Sequence, residues 1–178
     1  RKYFSMTDEE IDYVYHVDNY YCTRMMMDAL CYLYEYRADF DEMIGYAHEK
    51  GMQVAVHCIG DACLDMVLSS IEKALAENPR TDHRHGIVHC QITRPDQLEK
   101  IAERKLHVYA QSIFLDYDIH MVRQRVGEEL AASSYSWKTL LRGGVTVSNG
   151  SDCPVEQPDV MAGIQCAVTR CDLQGNGP

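Results

Sequence analysis

No stretch of this chain is apolar for the roughly 20 residues that a membrane-spanning helix needs, so no spanning segment is expected. Basic charge is scarce as well: 17 Lys and Arg stand against 27 Asp and Glu, a formal net charge of −10. A nucleic-acid surface normally carries a basic patch, and an anionic membrane attracts clustered Lys and Arg. Neither is therefore an expected partner. No secretory signal is visible, and Arg1 does not read as a native start, so an upstream one stays open. None of the eight cysteines (Cys22, Cys31, Cys58, Cys63, Cys90, Cys153, Cys166 and Cys171) sits in a C-x-x-C pair, which removes the zinc-ribbon and thioredoxin-type patterns. Several lie inside apolar runs, where a free thiol acts as a small buried hydrophobe. A reduced, cytoplasmic protein is the expectation, ahead of a secreted disulfide scaffold. Low-complexity linkers and internal repeats are absent too. So is a Gly-rich phosphate loop after a strand: Gly60-Asp61 lacks further glycines, and Gly143-Gly144 precedes its strand. That argues against a doubly wound nucleotide-binding module.

What is present is a regular alternation. The 178 residues suffice for one sizeable core. Thr7-Asp8-Glu9-Glu10 fits a capping box, and the Tyr- and Met-rich stretch Ile11 to Tyr36 is expected to be helical. Met25-Met26-Met27 reads as core filler. From residue 38 the pattern sharpens. Asp39 to Lys50 carries a helical stripe of Phe40, Met43, Ile44 and Ala47, with Gly51 as C-cap. Val54 to His57 reads as a strand, Ala62 to Glu77 as a helix ended by Asn78-Pro79, and Gly86 to Cys90 as a second strand. Pro95 to Arg104 is a helix with proline in its first turn, and Leu106 to Gln111 a third strand. Helical stretches at Asp118 to Val126 and Ser136 to Arg142, a strand at Val145 to Ser148 and a helix at Val160 to Arg170 complete the chain. Short apolar strands alternating with helices predict an α/β fold with a parallel sheet. The expected division is a helical N-terminal segment, 1–37, and four βα units, 38–178.

In a barrel of such units the chemistry sits at the C-terminal strand ends. The four predicted strands lead into His57-Cys58-Ile59-Gly60-Asp61, His89-Cys90-Gln91, Gln111-Ser112 and Asn149-Gly150-Ser151-Asp152. Two imidazoles and a carboxylate on three strands suit zinc and similar divalent ions, and an aspartate beside activated water can take its proton. Spacing leaves blander alternatives open. A histidine at a strand end is often structural, and Asp152 after Gly-Ser is placed to cap a helix near Pro154. His83-Arg84-His85 precedes its strand and is expected at the opposite face, away from any site. His16, His48, His107 and His120 have no motif context. Asp61 is expected to cap the helix that follows it, ahead of orienting His57.

Four segments carry a resemblance. Val54 to Asp61 (V-A-V-H-C-I-G-D) resembles the V-A-I-H-A-I-G-D segment of amidohydrolase family 3, and Arg84 to Gln91 (R-H-G-I-V-H-C-Q) its R-x-R-I-E-H-A-Q segment. Gly150 to Glu156 (G-S-D-C-P-V-E) is similar to G-S-D-W-P-V-E, and Tyr135-Ser136-Trp137 with Leu140-Leu141 to Y-x-W-x-x-L-L. All four occur in the family's order, between about residues 38 and 170. The resemblance implies a partial TIM (β/α)₈ barrel, its C-terminal half, from an enzyme that hydrolyses amide or related C–N bonds with one or two divalent metals, zinc first. It implies His57 and His89 as metal ligands and Asp152 as both ligand and catalytic proton acceptor. Gln111 and Glu156 are the expected substrate-side residues. Val88 and Cys153 depart from the family's Glu and Trp. The family's first-strand H-x-H and fourth-strand carboxylate ligand are expected upstream, so the isolated chain is expected to lack a complete site. A small-molecule substrate is implied. Open strand edges predict self-association into a homo-oligomer.

Overall fold

The computed structural model describes residues 37–177. The capping box at Thr7, the Met25-Met26-Met27 run, His16 and nearly all of the expected helical N-terminal segment lie outside those residues. The described chain runs α1 (Arg37–Glu49), β1 (Ala55–Cys58), α2 (Asp61–Glu77), β2 (Gly86–His89), α3 (Pro95–Glu103) and β3 (His107–Ala110). A 3₁₀ turn (Ser112–Phe114) and short helices α4 (Leu115–Asp118), α5 (Val122–Val126), α6 (Glu128–Ser133) and α7 (Trp137–Arg142) follow. The chain ends with β4 (Val147–Asn149) and α8 (Val160–Thr169).

All four strands are parallel and ordered β1-β2-β3-β4. Spatial order follows sequence order, with no reversal. A doubly wound sheet must reverse its order to cover both faces, whereas a barrel adds each unit beside the last. The arrangement is α/β and that of a partial (β/α)₈ barrel.

The helices form where the apolar period predicts. In α2, Leu64, Val67, Leu68, Ile71 and Ala74 are buried, a stripe spaced by three and four residues. In α1 the buried stripe is Phe40, Ile44 and His48. Met43, expected to belong to it, is 59% exposed. His48 takes the inward place because its ring is hydrogen-bonded on both sides. The helix Glu128–Ser133 was not expected, and β4 lies one to two residues later than its apolar run suggests. At the centre of the sheet Ile87 and Val108 are fully buried and paired in register. Gly86 is required there: a Cβ would lie 2.5 Å from Tyr109 Cε2 and 3.1 Å from the His107 carbonyl oxygen.

The end opposite the candidate site is held by histidines. His85 Nδ1 accepts the Val54 amide hydrogen (3.1 Å), so its proton sits on Nε2, which donates to His48 Nδ1 (2.8 Å). His48 Nε2 then donates to the Asn78 carbonyl (2.6 Å). His83 Nδ1 accepts from the His85 amide, and its Nε2 donates to the Arg104 carbonyl (2.9 Å). Each ring has one neutral tautomer that satisfies both nitrogens. Arg80 donates to the carbonyls of His48, Gly51 and Met52, closing the C-terminal end of α1. The H-x-H of the sequence is therefore a structural clasp, at the face where its position before β2 put it.

Candidate active site

β1 carries His57 and β2 ends on His89, and their rings meet edge to face with centroids 4.4 Å apart. Asp152 follows β4, and its Oδ2 lies 3.9 Å from His89 Nε2. That is too long for a hydrogen bond, and it falls within the roughly 3–4 Å that separates two donors on one zinc ion. Three of the expected residues are thus gathered at one end of the sheet. Their exposures differ. His89 is 3% exposed, while His57 lies on the edge strand β1 and is open. Burial, and then His57, hold the His89 imidazole below its ordinary pKa, with Asp152 pulling the other way, so the neutral form that can bind a metal is favoured.

Backbone geometry sets this arrangement. His89 (φ 73°), Cys90 (φ 54°) and Asp152 (φ 57°) all occupy the left-handed region. Non-glycine residues seldom do so, and such positions concentrate at functional sites. At β2 the conformation turns the chain so that the Cys90 amide reaches the Cys58 carbonyl (3.0 Å) and the Ile92 amide the Ile59 carbonyl (2.9 Å). Asp152 caps no helix: its carbonyl accepts from Val155 in a turn, and α8 is capped instead by Asp159, whose Oδ1 accepts from Ala162. Asp61 is likewise not a cap. It opens α2 and pairs with Arg94, 3.2 Å away, while Gly60 holds the cap position.

Unpaired polar atoms gather at the same end. His89 Nδ1, Gln91 Oε1 and Gln111 Oε1 are buried without a hydrogen-bond partner. A buried group left so costs about 1–3 kcal/mol, which favours occupation by water or a ligand. Gln111, expected on the substrate side, is 8% exposed directly after β3. Glu156 is half-buried. Sequence reasoning missed the network beside it. Gln91 Nε2 donates to Asp118 Oδ2 (2.9 Å), and Tyr135 donates its hydroxyl to the same oxygen (2.7 Å). Burial raises the pKa of both Asp118 and Tyr135. Gln91 and Tyr135 lie inside motif segments and could have been found there. Asp118 has no local signal.

Among the described residues no three His, Cys, Asp or Glu side chains are grouped closely enough to hold a metal ion as they stand. The donors present fit part of a divalent site: two imidazoles and a carboxylate, with one ring nitrogen of His89 buried and without a partner. A cavity of about 200 Å³ lies on the Asp152 side, lined by residues that include Asn149, Ser151 and Asp159, and neither histidine lines it.

The chain is similar to several known proteins. The amidohydrolase family matches residues 9–176. The chain is 37% identical over 137 residues to a Bacillus subtilis (strain 168) protein called "Putative amidohydrolase YtcJ", covering 76% of this chain and 25% of that one. It is 34% identical over 125 residues to the Arabidopsis thaliana "Protein LONG AFTER FAR-RED 3", covering 70% and 21%. Crystal structures of two uncharacterized metal-dependent hydrolases superpose on it. The one from Pyrococcus furiosus has TM-score 0.62 and 34% identity, covering 73% of this chain and 26% of that one. The one from Pyrococcus horikoshii OT3 has TM-score 0.64 and 30% identity, covering 75% and 26%. The chain spans about a quarter of the length of these relatives.

Proposed function

Because the chain belongs to the amidohydrolase family, we propose that it is part of a hydrolase that cleaves amide or related C–N bonds of a small molecule with a divalent metal, zinc being the ion its donors suit best. One observation carries this reading: His57, His89 and Asp152 converge at the C-terminal ends of strands of one parallel sheet. The two histidines and Asp152 would hold the metal, which when bound lowers the pKa of water and polarises a carbonyl. Asp152, whose carboxylate lies 3.9 Å from His89 Nε2 and is open to solvent, takes the proton of the attacking water and returns it to the leaving nitrogen. Gln111, and Glu156 further out, orient the substrate.

The experiment is metal analysis after zinc loading and dialysis, paired with hydrolysis of N-acyl and cyclic amide substrates, on this chain and on the longer protein. His57→Ala, His89→Ala and Asp152→Ala should each lower zinc retention at least about tenfold. A longer protein that retains no divalent ion, and whose activity is unchanged by His57→Ala, sinks the reading. The isolated chain should be inactive, since three donors from one half-barrel leave the coordination sphere incomplete.

A second reading concerns the isolated chain: a non-catalytic half-barrel that self-associates. Among the described residues, β1 and β4 each pair on one side only, and α8 presents Val160, Met161, Ile164 and Val168 to solvent. Unpaired edges and an uncovered apolar face favour association with another copy. Light scattering that finds a monomer at high concentration excludes it. The free state of the six described cysteines supports a reducing, cytoplasmic setting. Among the described residues no helix is long and apolar enough to cross a membrane.

A further inference from the structure

Cys58 ends β1, and Cys63 stands in the first turn of α2. Their sulfurs are 3.5 Å apart. Cys58 is 1% exposed, whereas Cys63 is only half-buried, its Sγ 3.7 Å from the His57 carbonyl oxygen. The pair therefore has one sulfur that solvent can reach and one that it cannot. A disulfide requires the sulfurs to approach by a further ~1.5 Å, within the reach of a side-chain rotation. Cys153 and Cys171 are the other described cysteines open to solvent, and neither has a second sulfur within hydrogen-bonding reach among the described residues. The family segment that Val54 to Asp61 resembles has alanine at the position of Cys58, so the hydrolytic chemistry does not call for this thiol.

We propose that Cys58 and Cys63 form a thiol modification site, in which Cys63 takes a low-molecular-weight disulfide such as oxidised glutathione and Cys58 resolves the adduct into an intramolecular disulfide. In the first step the Cys63 sulfur attacks one sulfur of the small disulfide. The small S–S bond breaks, a mixed disulfide forms on Cys63, and one small thiolate leaves with the Cys63 proton. In the second step the Cys58 sulfur attacks Cys63 Sγ, the mixed disulfide breaks, and a second small thiolate leaves with the Cys58 proton. Two protein thiols are oxidised and one small disulfide is reduced to two thiols. The product clips the end of β1 to the start of α2 across Ile59-Gly60-Asp61, directly after His57. Glutathione with a reductant reverses it, as suits a transient disulfide in a reducing compartment.

The test is a peptide map by mass spectrometry after the folded chain is incubated with oxidised glutathione and unreacted thiols are blocked. The expected result is a Cys58–Cys63 cross-linked peptide lacking two hydrogens, lost on reduction. Cys58→Ala should instead accumulate one glutathionyl group on Cys63, and Cys63→Ala should leave Cys58 unmodified. The same treatment in denaturant should lose the preference for this pair. A stable mixed disulfide on wild-type Cys63, no reaction at Cys63, or equal cross-linking in the folded and denatured chains would each overturn the proposal. None of these readouts depends on metal or hydrolytic activity.

Discussion

Acidification should loosen this fold through His85. His85 is fully buried, and burial, then His83 and His48, push its pKa down from 6.5 to about 4. Its Nδ1 is occupied by the Val54 amide hydrogen, so the cation has no acceptor at that atom, and Arg80, which lies against its partner His48, repels it. The unfolded chain takes up the proton near pH 6.5 while the folded chain resists until about pH 4. Between those values the unfolded state binds more protons, so stability rises with pH. His85's contribution is complete above pH 6.5 and gone below about pH 4, and the 2.5-unit gap corresponds to about 3 kcal/mol. His83, also depressed by burial, adds in the same direction. Asp65, Asp82 and Asp172 are held below 3.8 by their hydrogen-bond partners, so their losses begin at lower pH. Asp118, raised by burial, works in the opposite sense and partly offsets the histidines.

The assay is urea unfolding at pH 7.0, 6.0, 5.0 and 4.5, for the wild type and His85→Asn. Asparagine keeps an acceptor for Val54 and cannot titrate. It should cost about 1–3 kcal/mol at neutral pH, so slopes rather than absolute values carry the comparison. The wild type should lose about 2–3 kcal/mol more than the variant across the window. Parallel curves for the two proteins would refute the reasoning, because the remaining groups would then explain the whole pH dependence.

Other perturbations test other parts of the structure. Ile87→Ala, at a fully buried position in the central strand pair, should cost about 2–5 kcal/mol in urea unfolding. Gly86→Ala should cost about 1–3 kcal/mol, and Tyr109→Ala in the same chain should recover part of it, since the nearest clash is with that ring. Tyr135→Phe removes a donor from half-buried Asp118 and should cost about 1–3 kcal/mol at pH 7, with the penalty shrinking in acid as Asp118 takes up a proton; a pH-independent penalty would mean that the hydroxyl acts elsewhere. Arg94→Ala, which breaks pairs with Asp61, Asp65 and Asp96, should cost no more than about 1 kcal/mol and less at high salt, given the exposure of these groups.

Legibility in the sequence followed the range of the forces involved. The helix α2 and the strands β1 to β3 were readable because their apolar spacing and their terminators, Asn78-Pro79 and Gly51 among them, act within a few residues. The stretch from Ser112 to Arg142 was read as two helices and breaks into a 3₁₀ turn and four short ones. Its packing depends on distant partners: Thr93 donates to the Ser133 carbonyl, and Tyr135 reaches back to the Gln91 carbonyl and to Asp118. Periodicity carries no trace of such pairs. Met43 was placed in the buried stripe for the same reason, since nothing local reveals that both ring nitrogens of His48 find hydrogen-bond partners, so that it can take the inward position at no polar cost.

The candidate site was legible as residues and illegible as geometry. His57, His89 and Asp152 were named from the strand ends and motifs, but neither predicts that one histidine is sealed and the other open. That asymmetry follows from strand order. β2 has neighbours on both sides, so His89 is enclosed between β1, β3 and Phe114, whose ring lies 5.6 Å away. β1 is an edge among the described residues, so the flank of His57 is uncovered. Desolvation already favours neutral His89. Whatever pairs with β1 must cover His57 as well, and on the proposed function a ring fixed and enclosed there is a better metal donor than one left in water. On the proposed function, closing the sheet and completing the metal site are one event, so a chain whose β1 edge stays open should retain less zinc after dialysis than one whose β1 edge is paired.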